Sequence, residues 1–202
     1  MKIDDLIKAI QSELGVQVDG KSGPETWMAI YTKIVSPVIT ATTATPSISN
    51  VDDRTERNIL KLLPEVQQIA RTLVQKAAEN GIKIKVISGL RTYEEQDKLY
   101  AQGRTKAGSV VTYARGGQSN HNFGIAFDIG VFEGTKYLTE SDKYKAVGVL
   151  GMDLGLEWGG NWKTIVDEPH FQLRPSWAID MKGKTMLAEL RSRTDGGVPI
   201  YS

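Results

Sequence analysis

Residues 119–128 read Ser-Asn-His-Asn-Phe-Gly-Ile-Ala-Phe-Asp, and the second half of that stretch decides the fold. From Ile125 onward, Ile125, Phe127, Ile129 and Val131 point one way, while Ala126, Asp128 and Gly130 point the other. That period of two marks a half-buried strand with its large residues toward the core. Asp128 then stands on the small-residue face, where a metal and a peptide backbone have room to approach. His121 and Asp128 are separated by an odd number of residues, so a flat strand would aim them at opposite faces. His121 therefore belongs to the preceding loop, curled over through Gly124. Residues 167–173, Asp-Glu-Pro-His-Phe-Gln-Leu, form a second short strand, with His170 and Gln172 on one face and Phe171 and Leu173 on the other.

His121 and His170 are the only 2 histidines in 202 residues. Two imidazoles and the Asp128 carboxylate make a three-ligand set that leaves a fourth zinc position open, as catalytic rather than structural sites do. Water bound to such a zinc becomes a usable nucleophile near neutral pH. An isolated histidine is more often an ordinary surface or core residue, but the flanking residues here argue against that reading.

Composition narrows the partners. The chain carries 25 basic and 24 acidic residues for a net charge of +1, which gives no phosphate-tracking surface and excludes nucleic acid as the expected partner. It has 0 cysteines, so disulfides and thiolate ligands are ruled out. No apolar run approaches the ~18 residues of a membrane span. The N-terminus MKIDDLIKAIQSEL has Asp4 and Asp5 where a secretory signal would be apolar. Synthesis in the cytoplasm without a signal peptide is expected, so that any exit needs another route, and a monomer is expected.

The segments order themselves around those motifs. Residues 1–35 read as a small all-α module, with Leu6, Ile7, Ile10 and Leu14 on one helix and Pro24 opening a second with Trp27, Ile30 and Ile34. Residues 36–50, SPVITATTATPSISN, are uncharged and rich in Ser, Thr and Pro, the composition of a linker. Residues 51–202 form the larger domain. There Pro64 opens a helix with core face Val66, Ile69, Ala70, Leu73 and Ala77. Ile82–Val86 alternates as a strand, and Thr92 with Glu95 forms a capping box for a helix reaching about Gln102. Gly108–Asn120 is a long loop. Ser141 caps a helix carrying Tyr144, Val147, Leu150 and Leu154. The tail after Arg174 is helical around Lys184–Arg191, with no role legible. The expected fold class is α+β, a small antiparallel sheet with packed helices.

These motifs together resemble a known family. Ser119, His121, Gly124, Ala126 and Asp128, followed by Asp167-x-x-His170, are similar to the zinc motifs of the D-Ala-D-Ala carboxypeptidase and L-alanoyl-D-glutamate endopeptidase superfamily, whose fold is shared by the hedgehog signalling domain. Ser88–Thr92 with Glu95 and Gln96, and the loop Gly155–Trp162, resemble further signatures, the last typical of phage endolysins. Residues 18–27 resemble the turn and second helix of a peptidoglycan-binding repeat. The resemblance implies Zn2+ on His121, Asp128 and His170, and Asp167 as general base. Glu168 is the competing base if the strand begins at Pro169. Arg91 is implied to clamp a substrate carboxylate or polarise the scissile carbonyl, the alternative being a pairing with a structural acid. Ser119 either bonds substrate or shapes its loop. Gln96 either contacts substrate or braces the loop around Arg91, and Trp158 and Trp162 either wall the cleft or fill the core. The implied reaction is hydrolysis of the peptidoglycan stem peptide at L-Ala–D-Glu. A D,D-carboxypeptidase and a non-catalytic zinc-bearing wall-binding protein are the alternatives.

Overall fold

The computed structural model describes residues 3–21, 26 and 51–202. The chain divides into two compact units, residues 1–49 and 50–202. In the first, Ile3–Leu14 forms helix α1. The buried Gln11 amide accepts from the backbone N–H groups of Asp19 and Gly20 and donates to Asp19 Oδ1, so it ties the following turn to the helix. The expected second helix and the linker, apart from Thr26, lie outside the described residues.

The second unit begins with helix α2 (Asp53–Ile59), whose first turn is satisfied by the Asp52 side chain. Helix α3 (Pro64–Glu79) follows, with Pro64 in its first turn. Five antiparallel strands come next in space: β1 (Lys83–Ser88), β2 (Ala126–Glu133), β3 (Lys136–Leu138), β4 (Glu157–Trp158) and β5 (His170–Gln172). Their order is β1-β2-β5-β4, with β3 paired to β2. Helices α4 (Tyr93–Ala101), α5 (Lys143–Asp153) and α6 (Gly183–Asp195) complete the unit.

The alternation read from β2 sorts the two faces of this sheet. Phe127, Ile129 and Val131 are fully buried and pack with Leu73 and Ala77 of α3 and Tyr144 and Val147 of α5. Phe127 stacks on Phe171 across the β2–β5 pair, ring centres 5.8 Å apart. Helix α5 comes close because it presents glycines. A Cβ on Gly151 would fall 2.4 Å from the Phe171 ring, and one on Gly148 would fall 2.5 Å from Trp158. Its cap differs slightly from expectation. The residue at the boundary is Asp142, although Ser141 Oγ still accepts the Lys143 N–H at 3.2 Å.

The tail has a definite place. Met186 and Leu190 of α6, with Ala178, bury Phe123 and Ile125 in a second core cluster. Arg191 donates to the Gly117 carbonyl at 2.7 Å. Helix α6 thus supports the segment leading into β2.

Candidate metal centre

The register of the sheet builds the site on the face away from the helices. Asp128 lies opposite His170 of β5 and opposite Ser88 at the end of β1. The β1–β2 pairing shifts between Val86 and Ser88, a bulge that turns the chain out of the sheet toward Arg91. His121 arrives from outside the sheet, on the 3-10 turn Asn120–Phe123. Gly124 ends that turn at φ 69°, the left-handed conformation that glycine adopts at no steric cost. The Asn122 side chain locks the turn by accepting from Gly117 N–H at 2.9 Å and donating to the Arg91 carbonyl at 3.0 Å.

Three atoms meet. His121 Nε2 is 3.1 Å from Asp128 Oδ1, His170 Nδ1 is 3.2 Å from the same oxygen, and the two nitrogens are 3.2 Å apart. The outer contacts decide which of these atoms carry protons. His121 Nδ1 lies 2.8 Å from the Gly89 carbonyl, an acceptor, so it bears the hydrogen and leaves Nε2 bare. His170 Nε2 lies 3.0 Å from Gln172 Oε1. The Gln172 amide is oriented by its Nε2, which donates to the Glu157 carboxylate, so His170 Nε2 is also a donor and Nδ1 is bare. With both imidazoles neutral, two lone pairs would face a carboxylate oxygen with no hydrogen among them. That arrangement is repulsive unless a cation, a proton or a metal ion, sits between them. The three side chains are the His/Asp group able to hold a metal ion among the described residues, and nitrogen and oxygen donors in this number suit zinc.

The charges follow from that convergence. Burial pushes the Asp128 carboxyl up, but the His121 and His170 contacts prevail and hold it well below its ordinary value. Burial opposes the charged form of His170, and the Asp128 contact outweighs it and raises the imidazole in the absence of metal. Asp167 behaves differently. Burial and then the charge of Asp128 raise its carboxyl, while His170, His121 and Arg91 pull the other way. Asp167 therefore lies within electrostatic reach of the whole cluster. Glu168 acts instead on Lys145 and Tyr144, and its carbonyl accepts the Trp158 indole N–H at 2.7 Å. Strand β5 starts at His170 rather than Pro169.

The remaining sequence candidates take distinct places. Arg91 donates to Asp128 Oδ2 at 2.6 Å and to Ser88 Oγ at 2.9 and 3.1 Å. Its guanidinium is thus engaged on the proposed ligand carboxylate, leaving Oδ1 to face the imidazoles. Gln96 is fully buried. It bonds Ala114 O at 2.9 Å and Thr112 Oγ1 at 3.3 Å, and accepts from Arg91 at 3.4 Å, which makes it the brace between loop and Arg91. Ser119 heads the His121 turn, its N–H on Asn122 Oδ1 at 3.3 Å and its carbonyl accepting Asn122 N–H at 3.0 Å. Trp162 tilts over the His170 ring with centres 4.9 Å apart and is 38% exposed, so it walls the site. Trp158 belongs to the core. Glu157, Gln172, Asn120 and Arg174 have no role legible in the sequence alone. Gln172 accepts from Asn120 Nδ2 at 2.6 Å as well as from His170, and Arg174 pairs with Glu157. The period-two face shared by His170 and Gln172 was the available signal for Gln172.

The chain is 41% identical over 127 residues to the peptidoglycan L-alanyl-D-glutamate endopeptidase CwlK of Bacillus subtilis, covering 57% of this chain and 75% of that protein. Residues 112–173 match the D-alanyl-D-alanine carboxypeptidase family. The chain belongs to this family of peptidases. The peptidase is also 30% identical over 135 residues to the L-alanyl-D-glutamate peptidase of Listeria phage A118, covering 65% of this chain and 45% of that one. Among solved structures, the Serratia marcescens L-Ala D-Glu endopeptidase aligns with TM-score 0.47 and 26% identity over 60% of this chain and 86% of that one.

Proposed function

We propose that this peptidase is a zinc-dependent peptidoglycan hydrolase that cuts the L-Ala–D-Glu bond of the stem peptide, in the manner of a phage endolysin. The observation that carries the reading is the meeting of three potential ligand atoms from His121, Asp128 and His170 within 3.1–3.2 Å of one another. Zinc held there supplies a Lewis acid for the scissile carbonyl and lowers the pKa of water. Asp167, within electrostatic reach of His170, His121 and Arg91, would take the proton from the attacking water and return it to the departing amine. Arg91 holds Asp128 through Oδ2. Trp162 covers one side of His170. The specificity is supported by the names of the Bacillus and Listeria phage relatives.

Residues 51–202 are proposed as the catalytic unit, 36–50 as a linker and 1–35 as a wall-binding module; substrate is met at the cell wall. No helix among the described residues is long and apolar enough to cross a membrane.

The test is digestion of purified sacculi followed by mass spectrometry. Glycan-linked L-Ala stubs and peptides with a new D-Glu amine are expected, with activity lost on chelation and restored by zinc. Release of D-Ala alone would replace this specificity with that of a D,D-carboxypeptidase. Full activity in metal-free protein would remove the zinc mechanism.

A further inference from the structure

Arg91, the cation that the sequence offers for a substrate carboxylate, is already engaged on Asp128 at 2.6 Å. A stem peptide remains acidic all the same. It continues through the side-chain carboxyl of D-Glu, which leaves that residue's α-carboxylate free. Two further cations, Arg104 and Arg115, flank the loop residues Thr112 and Ala114 that Gln96 holds.

That loop is built rather than merely exposed. It leaves α4 with Thr105 and Lys106 N–H both on the Ala101 carbonyl at 2.9 Å. It closes on itself where Gly103 N–H meets Lys106 O at 2.9 Å. Gly103 packs so closely against the returning strand of the loop that a Cβ there would fall 2.5 Å from Val110 N. On this frame two tyrosines and two arginines alternate. The Arg104 guanidinium carbon lies 5.4 Å from the Tyr113 ring centre and 4.0 Å from that of Tyr100, and Arg115 lies 4.6 Å from Tyr100 on its own account. Arg104 also donates to the Tyr100 carbonyl, which fixes its direction. Neither arginine forms an ion pair among the described residues, both are exposed, and Tyr113 is 71% exposed. Thr112 and Ala114, on either side of Tyr113, bond Gln96, which touches Arg91, which touches Asp128. The ledge is therefore anchored to the metal centre by a short chain of hydrogen bonds.

We propose that Tyr100, Arg104, Tyr113 and Arg115 form a subsite for the carboxylates of the peptidoglycan stem peptide. This rests on the function proposed above. Guanidinium groups stacked on rings can still present in-plane N–H groups to a carboxylate, Arg104 through those not spent on the Tyr100 carbonyl, and stacking lowers the entropy lost on binding. The two tyrosines supply flat apolar surface for the peptide between its charges.

The test compares the full chain with its Arg104→Gln/Arg115→Gln double variant on two soluble stem peptides, one with a free D-Glu α-carboxylate and one with that group amidated. On the free acid, KM is expected to rise at least tenfold with kcat changed less than twofold, and the difference should shrink in high salt. On the amidated peptide the two proteins should differ much less. Arg104→Lys/Arg115→Lys should restore part of the affinity, which a folding defect would not allow. Calorimetric binding of the same peptides to the Asp167→Asn background reads the subsite without turnover. A wild type that binds the free acid better but cleaves elsewhere would overturn the bond assignment and leave the subsite standing. Unchanged KM and binding in the double variant would overturn the subsite. So would an equal loss on both peptides, or a loss seen only with sacculi bearing phosphate-rich wall polymers.

Discussion

Replacing Gln172 by leucine should loosen zinc without touching a ligand. Gln172 is 3% exposed. Its Oε1 accepts His170 Nε2–H at 3.0 Å and Asn120 Nδ2 at 2.6 Å, and its Nε2 donates to Glu157. Leucine keeps the volume and removes all three partners. The buried His170 N–H and Asn120 amide then lack acceptors, each costing about 1–3 kcal/mol. The Glu157 carboxylate is 36% exposed and still paired with Arg174, so its loss adds little. A stability loss of about 2–6 kcal/mol is expected in the metal-free protein. For metal, the orienting contact of a ligating imidazole is worth about 10–100-fold in affinity, roughly 1.4–2.8 kcal/mol at about 1.4 kcal/mol per decade. The second figure is the smaller because the ring is also held by strand β5. Competition against a chromophoric chelator measures the affinity, and nitrogen NMR of the two histidines reports which ring nitrogen of His170 carries the proton. Gln172→Glu separates the roles, since it keeps an acceptor for His170 but sets two carboxylates face to face. Its defect should be relieved by adding Glu157→Gln. Zinc affinity within twofold of wild type in Gln172→Leu, with the Nε2–H form intact, would refute the reasoning.

Three further outcomes are expected. Asp167→Asn should retain zinc and fold but lose about 10²–10⁴-fold in turnover, whereas Glu168→Gln, whose charge acts on Lys145 and Tyr144, should stay near wild type; steady-state kinetics with metal analysis decides, and the reversed result moves the base to Glu168. Gly151→Ala places a methyl 2.4 Å from the Phe171 ring and should cost about 1–3 kcal/mol by overpacking, seen as a lowered denaturation midpoint. Asp52 is pushed up by burial, but the Thr55 hydroxyl and backbone bonds prevail and lower it, so its contribution is present above the unfolded carboxylate value near 3.8 and fades as pH falls through the folded one. Asp52→Asn should keep the cap and flatten that acid loss, while Asp52→Ala should cost about 1 kcal/mol at neutral pH, as urea titrations across pH would measure.

Much of the centre was legible in the residues read in order. The alternation of β2 assigned Asp128 to the small-residue face, and its odd separation from His121 required a turn, which Gly124 supplies at φ 69°. Thr92 with Glu95 made the capping box as expected. Each of these follows from backbone periodicity or local bonding within a few residues, and such rules act before the chain has a tertiary fold. What tertiary structure alone decided was register and partnership. Only the pairing of β2 with β5 brings Asp128 opposite His170, and only the β1 bulge turns Arg91 onto Asp128 Oδ2 rather than outward. The outer partners of both imidazoles were equally hidden, because they are Gly89 and a Gln172 amide oriented by Glu157 from another strand. So was the role of α6, whose Met186 and Leu190 bury Phe123 from more than sixty residues away. Contacts across strands and between distant segments are set by how whole faces pack, and no spacing along the chain encodes which distant residue will complete a hydrogen bond.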